Sequence, residues 1–134
     1  MRPAPPILLA VFCGGAVGSL ARAGVEEVLA PAPGHWPWGT LTVNLVAAFV
    51  LGALVARYAG HTHSERRMAL YGPGFCGGLS TFSTLQLELF DLIDGGQVAT
   101  AAGYAAASLA GGLALALLAM RLVERWRPPL EAAG

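Results

Sequence analysis

Four apolar runs of about twenty residues fill nearly all of the chain, at about 7–29, 39–58, 68–91 and 98–120, with short polar or Pro/Gly-rich breaks between them. A bilayer core about 30 Å thick takes about 20 mostly apolar residues per spanning helix. The pattern therefore predicts an all-α integral membrane protein of four transmembrane helices, a single membrane domain over residues 1–134. Composition agrees, since 55% hydrophobic and 12% charged residues leave too little polar surface for an ordinary soluble domain. The zero formal net charge removes the case for nucleic-acid binding, which needs cationic surface to neutralise phosphates. Cys13 and Cys76 sit inside apolar runs without metal-ligand spacing and read as buried, reduced thiols. The first run lacks a small-residue cleavage site and reads as a retained span.

Span one carries Gly14 and Gly18, a small-xxx-small pair that lets helix backbones approach closely. It ends at the breaker-rich Pro31-Ala-Pro33-Gly34-His35-Trp36-Pro37-Trp38, where the two tryptophans suit a membrane interface. Four spans place both termini on the same side as the loop between spans two and three. That side holds Arg2, Arg57, Arg66, Arg67, Arg121, Arg125 and Arg127, and the opposite loops hold no Lys or Arg. The positive-inside rule then predicts a multi-pass protein of the cell membrane with both termini cytoplasmic. His61 and His63 form an H-x-H pair in a loop with no third ligand in view, and are not read as a metal site.

Span three is the unusual one. Gly72, Pro73, Gly74, Gly77 and Gly78 crowd its middle and Ser80-Thr81-Phe82-Ser83-Thr84 follows, a run expected to break the helix. Non-helical backbone at membrane depth is tolerated only where protein buries it or a cavity receives it, so the break points to a site. Its freed carbonyls attract a cation and its freed amides an anion; the alternative is a packing kink whose hydroxyls satisfy the backbone. Span two has one amide in its apolar first half, Asn44, which must face either a hydrogen-bond partner or a pore. The G-x-G-x-x-G at Gly72, Gly74 and Gly77 has no preceding strand and is rejected as a nucleotide site.

Gly15-Ala-Val-Gly18-Ser-Leu-Ala-Arg22, the Gly39-Thr40 to Asn44 segment, and Gly74-Phe-Cys-Gly77-Gly78 leading into Thr81-Phe82-Ser83-Thr84 together resemble, in order and spacing, the signatures of the Fluc/CrcB fluoride channels. The resemblance implies an antiparallel dimer with two fluoride pores along the interface and a third helix broken mid-membrane. It also implies a structural sodium ion (Na+) at that interface, held by the backbone carbonyls of Gly77 and Ser80. By the same resemblance Asn44 lines the pore, Phe82 turns a ring edge toward the anion, Thr81, Ser83 and Thr84 supply hydroxyls, and Tyr104 and Ser108 form a polar track on span four. Tyr104 is alternatively an interfacial or packing tyrosine, and Arg22 is either an interfacial snorkeller or an anchor to helix-end carbonyls.

Two positions depart from the family pattern. Leu85 stands where a second pore phenylalanine is expected, and Gly112 where another hydroxyl is expected. The expected function is passive export of fluoride to relieve its toxicity, without enzymatic chemistry. The rivals are a small four-helix proton-coupled drug exporter, which needs a carboxylate at membrane depth, and a non-conducting subunit of a heterodimeric channel. Glu26, Glu27, Glu88 and Asp91 all lie near helix ends and are expected to be solvated. The cationic asymmetry and Leu85 together point to a paralogous partner inserted the other way up.

Overall fold

The computed structural model describes residues 4–32, 34–58 and 65–126; Arg2, His61, His63 and Arg127 lie outside them. Every regular element among the described residues is helical. Helix α1 (Pro5–Val28) starts on two prolines, whose missing amide hydrogens would find no partner in a first turn anyway. Helix α2 (Trp38–Tyr58) follows, and the last is α6 (Val98–Arg125). Between them lie α3 (Glu65–Ala69), a π-helical stretch (Leu70–Cys76), α4 (Gly77–Leu79) and α5 (Ser83–Asp94). With 24, 21 and 28 residues, α1, α2 and α6 are long and apolar enough to cross a membrane, at about 36, 31 and 42 Å.

α6 outruns the expected end at residue 120 by a turn and a half. Hydropathy fades at Arg121, but Arg, Leu and Glu remain good helix formers, and the next strong breaker in the sequence is Pro128. The turn at Asp94-Gly95-Gly96 closes as the glycines suggest. Gly96 has a φ of 76°, a left-handed value that favours glycine, and the Gln97 amide reaches back to the Leu92 carbonyl at 2.7 Å.

The Gly/Pro run does not itself interrupt the helix, which differs from the expectation. Pro73 cannot donate to the Ala69 carbonyl as an α-helix requires. The backbone widens into the π-helical stretch, in which the Gly77 N–H reaches the Gly72 carbonyl five residues back. Helical backbone continues through Leu79 and stops at Ser80, whose ψ of 155° is extended; it resumes at Ser83.

Packing follows the small residues. α1 lies along the π-helical stretch and α4, and α2 lies along α6. A Cβ at Gly14 would strike the Leu70 carbonyl oxygen, and one at Gly18 the Phe75 carbonyl oxygen. In the same seam a Cβ at Gly78 would strike the Gly15 carbonyl, and at the other seam one at Gly52 would strike Ala116. α2 is shared by two apolar clusters, with Leu41 beside Leu85, Leu92 and Tyr104, and Val43 and Ala47 beside Cys76 and Leu79. Cys76 is thus buried as expected, whereas Cys13 is exposed on the outer face of α1. Phe12, Leu20 and Leu109 are more than 70% exposed, an outward apolar surface that suits lipid rather than water.

Candidate functional site

The stop at Ser80 is made by hydrogen bonds that replace helical ones. The Ser80 hydroxyl turns back onto the Cys76 carbonyl at 2.9 Å, alongside its own amide at 3.0 Å. The next amide, of Thr81, would bond the Gly77 carbonyl in a continuing helix. It donates instead to Asn44 Oδ1 at 2.8 Å, and Asn44 Nδ2 donates to the Thr81 carbonyl at 3.0 Å. One side chain on α2 therefore satisfies both backbone groups of the residue in the gap. The sequence required Asn44 to find a partner or a pore, and its first partner is this backbone.

Hydroxyls gather immediately after the gap. Thr81 Oγ1 accepts the Thr84 amide hydrogen at 3.2 Å, which caps the start of α5. The same oxygen is 3.0 Å from Thr84 Oγ1 and 3.3 Å from Ser83 Oγ. Phe82 is 68% exposed and projects beside a largely apolar groove of about 580 Å³ that is also lined by Asn44, Gly77, Ser80 and Thr81. Leu85 reaches this groove but is only 8% exposed, packed beside Leu41 and Tyr104. Gly112 stands in open contact, since a Cβ there would meet Ala48 at an ordinary 3.9 Å.

Arg22 takes a helix-end carbonyl, with Nε donating to Gly78 at 3.2 Å and Nη1 lying 3.9 Å from Glu26 Oε2. Among the described residues no hydrogen bond reaches the carbonyls of Gly77 and Ser80. A Cβ at Gly77 would meet no atom within 4 Å, so this end of α4 is sterically open.

A second polar cluster was not expected. Glu88, predicted to be solvated, is half-buried and accepts the Thr40 hydroxyl at 2.7 Å on Oε1 and the Tyr104 hydroxyl at 2.6 Å on Oε2. Thr40 and Tyr104 are 1% and 0% exposed, so the carboxylate bridges α2 and α6 with partners fully withdrawn from the surface. Its signal was the spacing Leu85, Glu88, Leu89, Leu92, which puts Glu88 on the inward stripe of α5. Tyr104 thus commits its only hydrogen to Glu88, and Ser108, one turn on, has a buried hydroxyl with no partner among the described residues. Trp36 also departs from expectation. Trp38 is 60% exposed, as an interfacial tryptophan should be, but Trp36 stacks edge-on against Tyr104 with centroids 5.8 Å apart.

These features define an all-helical membrane protein with a polar helix junction held against an otherwise apolar groove. The chain belongs to the CrcB family: the family described as "CrcB-like protein, Camphor Resistance (CrcB)" matches residues 9–120. It is 48% identical over 122 residues to the fluoride-specific ion channel FluC 1 of Mycolicibacterium paratuberculosis, covering 90% of this chain and 92% of that one. It is likewise 48% identical to FluC 1 of Yersinia pestis, covering 89% and 94%, and 42% identical to FluC of Serratia proteamaculans, covering 87% and 92%.

Proposed function

We propose that the chain is a subunit of a fluoride channel through which the anion leaves the cytoplasm passively. The observation that carries this reading is the junction at Ser80–Phe82, where Asn44, Ser80, Thr81 and an exposed Phe82 ring line an apolar groove and the Thr84 hydroxyl adjoins that of Thr81. Relatives covering almost the whole chain bear the name of fluoride-specific channels. An inside-negative potential drives outward anion movement by about 2.3 kcal/mol per charge per 100 mV, so no pumping chemistry is required. The interrupted segment from Glu65 to Asp94 is then span three, which completes the four, with its gap at membrane depth. Both termini lie in the cytoplasm with the arginine-rich side.

A conducting unit in this reading is an antiparallel dimer, with the groove beside Asn44 and Phe82 facing the partner. A structural sodium ion fits the open carbonyls of Gly77 and Ser80, where it would supply fixed positive charge. Reconstituted in proteoliposomes with its oppositely inserted partner, the chain is expected to release fluoride without an imposed proton gradient, and more slowly when an organic cation replaces sodium during reconstitution. Efflux that requires a proton gradient would instead support the exporter reading, with Glu88 as its carboxylate.

The partner is a related subunit inserted the other way up. Two orientations of one chain need nearly balanced cationic loops, whereas all loop arginines here lie on one side. Leu85 also leaves a copy without the second phenylalanine of the resembled pore. Terminal-tag labelling of the subunit expressed alone should report one orientation only. Equal labelling from both faces together with fluoride efflux would show that it needs no such partner.

A further inference from the structure

We propose that Trp36 donates its indole N–H to the permeating fluoride, as a binding donor at the arginine-free end of the subunit; this rests on the channel reading above. Trp36 Nε1 is buried and has no acceptor among the described residues. A dry, unpaired N–H disfavours the folded state on the order of tenfold to hundredfold, so a donor kept in that position has a use for an acceptor. The side chain is not an interfacial anchor whose nitrogen meets lipid headgroups; exposed Trp38 beside it, with ring centroids 6.0 Å apart, has that position.

The ring is fixed by its other edge. Its Cζ3 and Cη2 atoms lie 3.5 and 3.6 Å from where a Cβ at Gly103 would stand, and the ring meets Tyr104 at an interplanar angle of 72°. The pyrrole edge that carries Nε1 is the opposite edge. The Gly103 side meets the indole at its six-membered ring, and the N–H has no partner among the described residues.

Its neighbours cannot replace it. The Tyr104 hydroxyl is committed to Glu88, and both Glu88 oxygens already accept hydroxyls. Tyr104 therefore offers a passing anion no free hydrogen in this arrangement, while Trp36, packed against the same ring, does. Fluoride is a small, strong acceptor, and a neutral N–H binds it without introducing a positive charge that would trap it.

The test is Trp36→Phe, which keeps an aromatic ring beside Tyr104 and removes the pyrrole ring with its N–H. In proteoliposomes with its required partner, half-saturating fluoride should rise about tenfold while maximal efflux is retained, and Trp38→Phe should leave both unchanged. In a second arm, Trp38→Phe with Trp126→Phe leaves Trp36 as the sole tryptophan. Sodium fluoride should then change its emission saturably, where sodium chloride at equal ionic strength does not. An unaltered fluoride dependence in Trp36→Phe, or an emission blind to fluoride, would overturn the proposal. Absence of fluoride efflux from the unmodified channel would instead overturn the channel reading.

Discussion

Asn44→Ala is expected to cut fluoride efflux by about a hundredfold or more. The Asn44 amide is the partner of both backbone groups of Thr81, and each buried backbone group left unpaired costs about 1–3 kcal/mol. Two such groups at one residue are enough to reset the gap, for instance by returning the Thr81 amide to the Gly77 carbonyl and extending α4 through it. The hydroxyls of Thr81, Ser83 and Thr84 would then move with the backbone that carries them. Asn44→Asp tests the same junction by a second route. It keeps an acceptor for the Thr81 amide but sets a carboxylate oxygen against the Thr81 carbonyl, so it too should conduct poorly. Efflux from proteoliposomes, with helical content and elution volume as controls, checks both variants. Unchanged efflux in Asn44→Ala would remove the residue from the ion path and from the junction.

A large effect on stability is expected at Gly18. A Cβ there would collide with the Phe75 carbonyl oxygen and lie 2.9 Å from the Leu79 amide nitrogen, both backbone atoms that cannot swing aside. Gly18→Val should drive α1 from its seam with the π-helical stretch and α4, with a loss of several kcal/mol by overpacking. Loss of monodisperse protein in detergent is the expected readout. Gly24→Ala, on the same helix, meets no atom within 4 Å. It should be neutral or raise the melting temperature, since alanine favours a helix over glycine by about 1 kcal/mol. Equal behaviour of the two variants would mean that α1 does not pack through Gly18.

Much of this arrangement is legible in the sequence. Three long apolar helices were set by length and hydropathy, and Gly14 and Gly18 announced a close helix seam by their spacing. What was misread has a common cause, which is that local composition does not say where a lost hydrogen bond is replaced. Pro73 with its glycines suggested the interruption, yet a widened turn absorbs the proline, and the helix stops later because Asn44, distant in sequence, takes the Thr81 amide. Glu88 looked solvated from its place near a helix end. Its partners, Thr40 and Tyr104, come from two other helices, which only the inward stripe of α5 could have hinted at. Trp36 and Trp38 are alike in composition and flank the same proline, but one is tucked against Tyr104 and the other is exposed.

The contacts joining Thr81, Ser83 and Thr84 have a further property. In the 3.0 and 3.3 Å hydroxyl contacts either oxygen can be the donor, so the hydrogens can reverse direction by rotation about C–O bonds while every heavy atom stays in place. In the channel reading proposed above, such a trio would be a small polarisable relay, its dipoles turning a hydrogen toward an arriving anion and back among themselves once the anion has gone, at the speed of hydroxyl rotation and with no movement of the Asn44 clamp that fixes the backbone beneath it.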